Sequence, residues 1–474
     1  MEYIELIKKR KKYNISQTKL AEASGYSKAM ISAWELGKKV PSDYEISCLY
    51  DSLSAIIKDI EECVFDVRKK RITHSKTEKR DLPALIKSAT DYRERLSLRT
   101  GKETPYTKRL ADLYRKAQKP KNDNSPKAIA LFSGCGGLSL GFAAEGFNLV
   151  GHVEIEESAN RIYYDNFPES KLLGTDICNI SNYELNEWIS EYGNIDVLIG
   201  GPPCQGFSLA GKRDPEDIRN QLYKYYVHIV SVLKPKVFVM ENVRLLTSMK
   251  NPDGRLFIDC IFESFSKAGY HVIRREINAC DYGVPQSRER VILIGIRNDL
   301  KKEFVFPIGE YSDDNQINML FSPNKRLTFR DATEDLQPLE SGENSSDPLH
   351  WSIVHPEHVI KWLKDVPEGC SAHENKDPAM RPPSGFNTTY KRIVWNEPCS
   401  TISTNFSMIS GCRNVHPTST RSLTIREAAR AQSFPDEFVF SGKWGDIRKA
   451  IGNAVPPILA AAIAKSIFSQ FFED

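Results

Sequence analysis

This chain lacks paired metal-type cysteines, long apolar runs, internal repeats and any sizeable net charge. Its ten cysteines are scattered, and no two stand in a CxxC spacing. That argues against a cysteine zinc site and against a secreted disulfide scaffold, and for a reducing cytoplasm. No apolar run is long enough to span a bilayer. The N-terminus, MEYIELIKKRKKYN, lacks the apolar core of a secretory signal, so a cytoplasmic protein without a membrane partner is expected. The net charge is only +3, but it is unevenly spread. The stretch from Arg68 to Lys121 carries RKKR, EKR, YRER, TKR and YRKAQKPK, which leaves the remainder net acidic. A basic stripe suggests contact with a polyanion. A solvated helical linker has the same composition, and charge alone does not separate the two.

At 474 residues the chain is too long for one ordinary core. Residues 1–66 read as short amphipathic helices. Residues 67–126 are basic and helix-prone, and end in the linker-like QKPKNDNSP. From Lys127 onward, strand-like runs (KAIALF, NLVGHVE, IDVLIGG, KVFVMENV, HVIRREINA, RVILIGI) alternate with helical ones, the pattern of a mostly parallel α/β sheet. The alternation fades after Arg297. Residues 300–420 are irregular and read as a smaller domain or insertion. Helical pattern returns over 421–474, so that 127–299 and 421–474 flank the irregular region.

In the first region, SQTKLAEASGYSKAMISAWELGKKVPS predicts a helix, a turn at Gly25 and a second helix. Leu20, Ala21, Ile31 and Trp34 are spaced to pack the two together, and Lys28, Ala29 and Ser32 would face outward. An ordinary helical hairpin has the same outline. With Gln17 and the WELG ending, however, the stretch resembles the helix-turn-helix of the Cro/repressor family, which sets a recognition helix in a major groove. Transcriptional control, for example of its own operon, is the role that resemblance implies.

In the third region, ALFSGCGGLSLGF puts Gly134, Gly136 and Gly137 between a strand and a helix, where a ligand can approach the backbone. A dinucleotide fingerprint asks for a further glycine at Ser139, and such loops also serve simple turns. The next strand ends in HVEIEE, whose Glu154 can accept from ribose hydroxyls. GTDI places Asp176 where it can hold an adenine amino group. In series these suggest an adenosine-containing cofactor; singly, each is equally a cap or a turn. GGPPCQGFS, residues 200–208, then bends a strand end around Cys204. A thiolate there would be a nucleophile. Free cysteines are commonly buried and structural, but a structural one has no need of a Pro-Pro bend. MENV supplies Glu241 and Asn242, and PQSRER supplies Gln286, Arg288 and Arg290, all at strand ends of one sheet.

FSGCGG, VEIEE, TDI, GGPPCQGFS, ENV, QSRER, RSLTIREAARAQSFP and IGNAVPP appear in this order, and over Lys127–Asp474 the chain resembles the DNA cytosine-5 methyltransferases of bacterial restriction-modification systems. The segment around Leu300–Tyr390 matches least. The resemblance implies a Rossmann-like, S-adenosyl-L-methionine-dependent α/β sheet with a target-recognition domain over 300–420, beside an all-α helix-turn-helix domain. It implies that the Cys204 thiolate attacks C6 of a flipped-out cytosine in double-stranded DNA and that Glu241 contacts N3 and the exocyclic amine. Arg290 would hold the O2 edge, and Arg288 would assist. The Pro203 carbonyl would help to tell cytosine from thymine. The implied cofactor contacts are Phe132, Gly134, Gly136, Glu154, Ile155, Asp176, Ile177, Gly201, Leu222, Asn453 and Val455. The implied DNA contacts are Gln205, Ser208 and Thr401, with Gln17, Lys28, Ala29 and Ser32 in the N-terminal domain. A restriction endonuclease acting on the same site is an expected partner.

His355 and His358 in HPEH have helical metal spacing, but no third ligand is evident and the chemistry needs no metal. Three other readings compete: a tRNA cytosine-5 methyltransferase, a repressor with an inactive methyltransferase half, and a nicotinamide dehydrogenase. The helix-turn-helix and the long variable region oppose the first. The intact Cys204, Glu241, Arg288 and Arg290 oppose the second, and the Pro-Pro-Cys loop opposes the third.

Overall fold

A computed structural model describes residues 3–12, 15, 17–42, 45–54, 57, 86, 88–97, 103–203, 222–250, 254–313, 324–383 and 386–473. The chain divides into two compact units, Met1–Leu82 and Pro83–Asp474. The first contains α1 (Tyr3–Lys12), α2 (Gln17–Ser24), α3 (Lys28–Glu35) and α4 (residues 45–54). Leu20 and Ala21 of α2 are buried against Ile31 and Trp34 of α3, with Leu6, Leu49 and Leu53 completing the core. Gly25 makes the turn at φ 73°, a left-handed value that glycine adopts freely. Ser27 caps α3 by accepting from the Met30 amide.

The second unit opens with α5 (Ala89–Ser97) and α6 (Pro105–Ala117), followed by β1 (Lys127–Leu131), α7 (Gly137–Ala144), β2 (Asn148–Val153), α8 (Glu157–Asn166), β3 (Lys171–Gly174), α9 (Asn182–Tyr192) and β4 (Val197–Gly200). After these come α10 (Leu222–Leu233), β5 (Val237–Val243), α11 (Phe257–Lys267), β6 (Tyr270–Asn278), β7 (Gln286–Ser287) and β8 (Glu289–Arg297). Beyond β8 lie α12 (Phe329–Thr333), α13 (Glu357–Leu363), α14 (Ile425–Ala431), α15 (Trp444–Asn453) and α16 (Pro457–Phe471). Seven strands form one sheet in the order β3-β2-β1-β4-β5-β8-β6. The contacts among β3, β2, β1, β4 and β5 are parallel, and β8 runs antiparallel between β5 and β6.

Both faces of this sheet are covered, which explains the unbroken apolar runs in the sequence. Side chains alternate between two cores with the period of two that a strand imposes. Ala128, Ala130, Val197, Ile199, Val237 and Val239 enter one core. Ile129, Leu131, Leu198, Phe238 and Met240 enter the other. The Phe238 ring stacks on Phe265 at 4.0 Å and lies over Gly295, its partner across the β5–β8 ladder.

Two boundaries differ from the sequence expectation. The predicted linker over 67–126 is, in its second half, part of the core: Tyr92, Tyr106, Leu110 and Leu113 are buried with the main hydrophobic cluster. The physical reason is legible in α6, where Tyr106, Leu110, Leu113 and Ala117 recur at helical spacing and form one buried stripe. Its basic residues occupy the remaining faces. Residues 300–420 are likewise not wholly separate. Val359, Leu363, Val366, Tyr390, Ile409 and Val415 make a small core of their own, whereas Phe329, Ala332, Ile393, Ile402 and Phe406 join the main one.

A Cβ at position 295 would overlap the Phe238 ring. Gly295→Ala should therefore lower the unfolding free energy by about 2–3 kcal/mol through overpacking, measured by urea denaturation of the intact chain.

Candidate active site

The carboxyl ends of β1, β2, β4 and β5 meet at one edge of the sheet, where ligands bind in open α/β folds. After β1 the chain turns sharply. Phe132 has φ 53°, Gly134 56° and Gly136 96°. The value at Phe132 is unusual for a side chain of that size and marks local strain at a candidate site. A Cβ added at Gly134 would meet nothing within 4 Å, whereas at Gly136 it would run into Phe167 and Tyr163. The loop is thus packed on one side and open on the other.

Glu154 at the end of β2 closes the loop. Its carboxylate accepts from the Gly134 amide at 2.8 Å and from the Glu156 amide at 2.9 Å. Burial, with the nearby Glu156 charge, raises its pKa above the ordinary range, while the amide hydrogen bonds oppose the shift. Each oxygen keeps lone-pair capacity for a further donor, which suits a diol. Ile155 beside it is 65% exposed, an apolar side chain left open at the rim. The donor set and the open glycine loop fit an adenosine-type ligand. Asp176 accepts within its own turn from the Cys178 amide and from the Asn179 side chain at 3.0 and 3.3 Å, and each oxygen keeps a lone pair for another donor. Ile177 is buried beneath it.

At the end of β4, Gly201 lies against the Glu241 carboxylate of β5; a Cβ there would sit 3.0 Å from Oε2. The Arg290 Nε of β8 meets Glu241 Oε1 at 2.8 Å, and both side chains retain limited solvent access. Asn242, the next residue on β5, donates from Nδ2 to the Pro202 carbonyl at 3.0 Å. This buried bond holds the first half of the Pro-Pro turn. Cys204, Gln205 and Ser208, which follow it, lie outside the described residues.

Arg288, expected to assist in catalysis, is fully buried and donates to the carbonyls of Ile402, Gly452 and Ala454 at 3.1, 3.1 and 2.9 Å. All three acceptors are backbone groups, so the guanidinium ties chain segments together, and its charge lies near enough to Glu241 and Arg290 to act on both. It draws IGNAVPP toward the sheet, leaving Asn453 exposed at the end of α15 and Val455 buried. The close approach is tight: a Cβ at Gly137 would strike the Val455 carbonyl. Leu222 opens α10 and is partly buried against the second core. Thr401 donates to the Ser287 carbonyl at 2.8 Å and is exposed.

Other functional side chains carried no assigned role in the sequence reading. Gln286 accepts from the Ile402 amide and donates to the Gln432 side chain, both at 2.8 Å. Gln432 in turn donates to the Ile451 carbonyl at 2.7 Å. Their signal was present in QSRER and RAQSFP but reads as polar surface until the fold buries it. The HPEH histidines do not converge. His355 bonds to Ser422, and the His358 ring packs edge-on against Trp362.

In the N-terminal unit, Lys28 and Ala29 are exposed at the start of α3, and Ser32 is half-buried one turn on. Gln17 is engaged within the fold: its amide donates to Glu35 at 2.8 Å, on a carboxylate that also receives Arg10 at 2.6 and 2.8 Å.

Comparison with known proteins agrees with this geometry. Residues 126–469 match the family described as C-5 cytosine-specific DNA methylase, and residues 6–47 match a helix-turn-helix family. The chain is 36% identical over 345 residues to the type II methyltransferase M1.HphI of Haemophilus parahaemolyticus, covering 72% of this chain and 86% of that one. It is 38% identical over 343 residues to M.Sau96I of Staphylococcus aureus, covering 71% and 74% respectively. A solved structure described as a prophage-encoded DNA modification methyltransferase of Escherichia coli aligns with TM-score 0.56 and 27% identity, over 74% of this chain and all of the other. Through its match over residues 126–469 and its identity to these relatives, this chain belongs to the C-5 cytosine-specific DNA methylase family.

Proposed function

We propose that this protein methylates C5 of a flipped-out cytosine in a specific duplex sequence through a Cys204–C6 covalent intermediate. The observation that carries this reading is the Glu241–Arg290 ion pair, set beside the Gly201–Pro202 turn that leads into Cys204. C5 of cytosine is a poor nucleophile. Addition of the Cys204 thiolate to C6 forms a C–S bond and pushes the ring electrons toward C5 and N3. Glu241, in its protonated form, donates to N3 and accepts from the exocyclic amine, and so neutralises the density that builds up at that edge. Arg290 fixes one carboxylate oxygen of Glu241 and supplies positive charge for the O2 edge. Once C5 is methylated, loss of the C5 proton and departure of the thiolate restore the aromatic ring. A stacked cytosine offers neither face to this constellation, so the base leaves the helix.

S-adenosyl-L-methionine would supply an electrophilic methyl group. Glu154 would hold its ribose, Phe132, Gly134 and Gly136 would form the cradle, and Ile155 and Ile177 would flank the adenine. Asp176, Gly201, Leu222, Asn453 and Val455 would complete the pocket, with Asp176 holding the adenine amino group. Residues 300–420, with Thr401 at the flipped strand, would read the target. The named relatives are type II methyltransferases, and this supports a restriction-modification role with a cognate endonuclease. The exposed start of α3, with Lys28, Ala29 and Ser32, supports operator binding by the N-terminal unit.

Cys204→Ser should abolish methyl transfer to duplex DNA and eliminate the denaturant-stable adduct on a duplex carrying 5-fluorocytosine, where no C5 proton can be lost. Retained adduct in that variant would refute the covalent route, and preference for a tRNA transcript over duplex DNA would refute the substrate. Glu241→Gln should keep DNA binding while slowing single-turnover methylation by roughly 10²–10³-fold, the scale for losing a transition-state contact.

The regulatory reading has its own test. The double change Lys28→Ala, Ser32→Ala should remove footprinting upstream of the coding region and leave the methylation rate on a short target duplex within about twofold, because both residues belong to the N-terminal unit and would supply base contacts to the operator, not to the methylation site. Undiminished protection would count against operator binding.

A further inference from the structure

The family match begins at residue 126, but the catalytic unit begins earlier. Two tyrosines ahead of that point reach the charged network under α14. The Tyr92 hydroxyl of α5 accepts from Arg426 Nη2 at 2.8 Å and donates to the Asp436 carbonyl at 2.6 Å. Arg426 also donates from Nε and Nη2 to Asp347 at 2.8 and 3.1 Å, and from Nη1 to the Asp436 carbonyl and carboxylate at 3.3 and 3.2 Å. A guanidinium has five N–H donors, and these contacts use each of them. One of the five acceptors is Tyr92. The Tyr106 hydroxyl of α6 donates to the Arg430 carbonyl at 2.7 Å, in the last turn of α14. The Arg430 guanidinium holds Asp335 at 2.6 and 3.1 Å and Asp436 at 2.9 and 2.7 Å.

Asp335 and Asp347 stand at the root of the 300–420 region. The stretch after Asp347 is tied down from the same helix: the Leu349 carbonyl accepts from the Arg426 amide at 3.0 Å, and His350 bonds to Thr424 at 3.0 Å. Removing one acceptor from a fully buried guanidinium leaves a desolvated N–H without a partner. The cation would then re-aim, and Asp347 with it. The contacts that build the cofactor loop and the Glu241–Arg290 pair involve none of these residues.

We propose that Tyr92 and Tyr106, on helices outside the family's own domain, are positioning residues for DNA target recognition, acting through Arg426 and Arg430 on the Asp347 and Asp335 anchors. This rests on the reading of residues 300–420 as the target-recognition region. Such a role predicts a split in the kinetics: affinity for the target duplex suffers, and the chemical step and cofactor affinity do not.

The test uses the full-length protein and a duplex carrying the site found by bisulfite sequencing. Tyr92→Phe should raise KM for this duplex by roughly tenfold, and Tyr106→Phe by about threefold, the scale of one buried hydrogen bond. KM for S-adenosylmethionine and kcat should stay within about twofold of the parent. Tyr114→Phe provides the control, since Tyr114 lies on α6 and its hydroxyl pairs with Arg93; all three constants should hold. The proposal is overturned if Tyr92→Phe matches Tyr114→Phe in KM for DNA, or if it degrades both KM values and kcat together, as general loosening would. Should Tyr92→Phe fail to fold, Tyr106→Phe is judged by the same split. Lys391→Ala with Arg413→Ala, two exposed cations of the recognition region, separates the two layers. If this pair raises KM for DNA and the tyrosine variants do not, the positioning role alone fails. If neither does, the reading of the region fails.

Discussion

The buried guanidinium of Arg288 is the tie on which the site depends. Three carbonyls, one from Ile402 and two from Gly452 and Ala454, come from two stretches well separated in the chain, and one cation gathers them. Taking that charge out of water is costly, and losing any acceptor its terminal nitrogens now have would cost more, so the ends of those stretches have little freedom to drift. Gln286 and Gln432 extend the same clamp to Ile402 and Ile451. The result is that the last helices of the chain return to pack against the first loop of the sheet. The Val455 carbonyl lies where a Cβ on Gly137 would be, so loop and returning segment fix each other's position.

The charged groups divide into two kinds by solvent access. Arg421, Arg426 and Arg430 are buried with the carboxylates of Glu427, Asp347 and Asp335. In that setting a missing partner is far more expensive than an intact pair is stabilising. Such a network specifies one arrangement of α14 against the stretch that holds Asp335 and Asp347. Glu241 and Arg290 keep partial access to water, as groups must if a base edge is to be exchanged for solvent during turnover. The same residue types are therefore used for rigidity in one place and left open to solvent in the other, and burial decides which.

Much of this was legible in the sequence, for reasons that also explain what was not. The strands showed because both sheet faces are covered, so Ile129 and Ala130 are apolar although they point opposite ways. The motif loops showed because glycine opens backbone conformations that other residues avoid and proline fixes its own. The role of Arg288 did not show: Arg288 and Arg290 are two positions apart in one strand, and only the fold reveals that one meets carbonyls and the other a carboxylate. The attachment of α5 and α6 was hidden by composition. Their lysines and arginines suggested a linker, yet the stripe from Tyr106 to Ala117 was periodic, and periodicity reports burial where net charge does not.

The placement of Glu241 and Asn242 shows how one strand holds two neighbouring features of the candidate site in register. Adjacent residues on β5 face opposite ways. Glu241 turns to Arg290 and the Gly201 side, and Asn242 turns to the Pro202 carbonyl. The first holds the group that would meet the base edge, and the second holds the root of the loop that carries Cys204. A small displacement of β5 would carry both partners with it, so their separation is set by the covalent geometry of one dipeptide and not by the sum of several loop conformations. β5 is itself central in the sheet, paired on both sides by β4 and β8. A reaction that needs a nucleophile on one atom of a ring and a hydrogen-bonding acid on its edge gains most from that kind of fixed spacing, because misplacement by about 1 Å can cost roughly 10²-fold in rate.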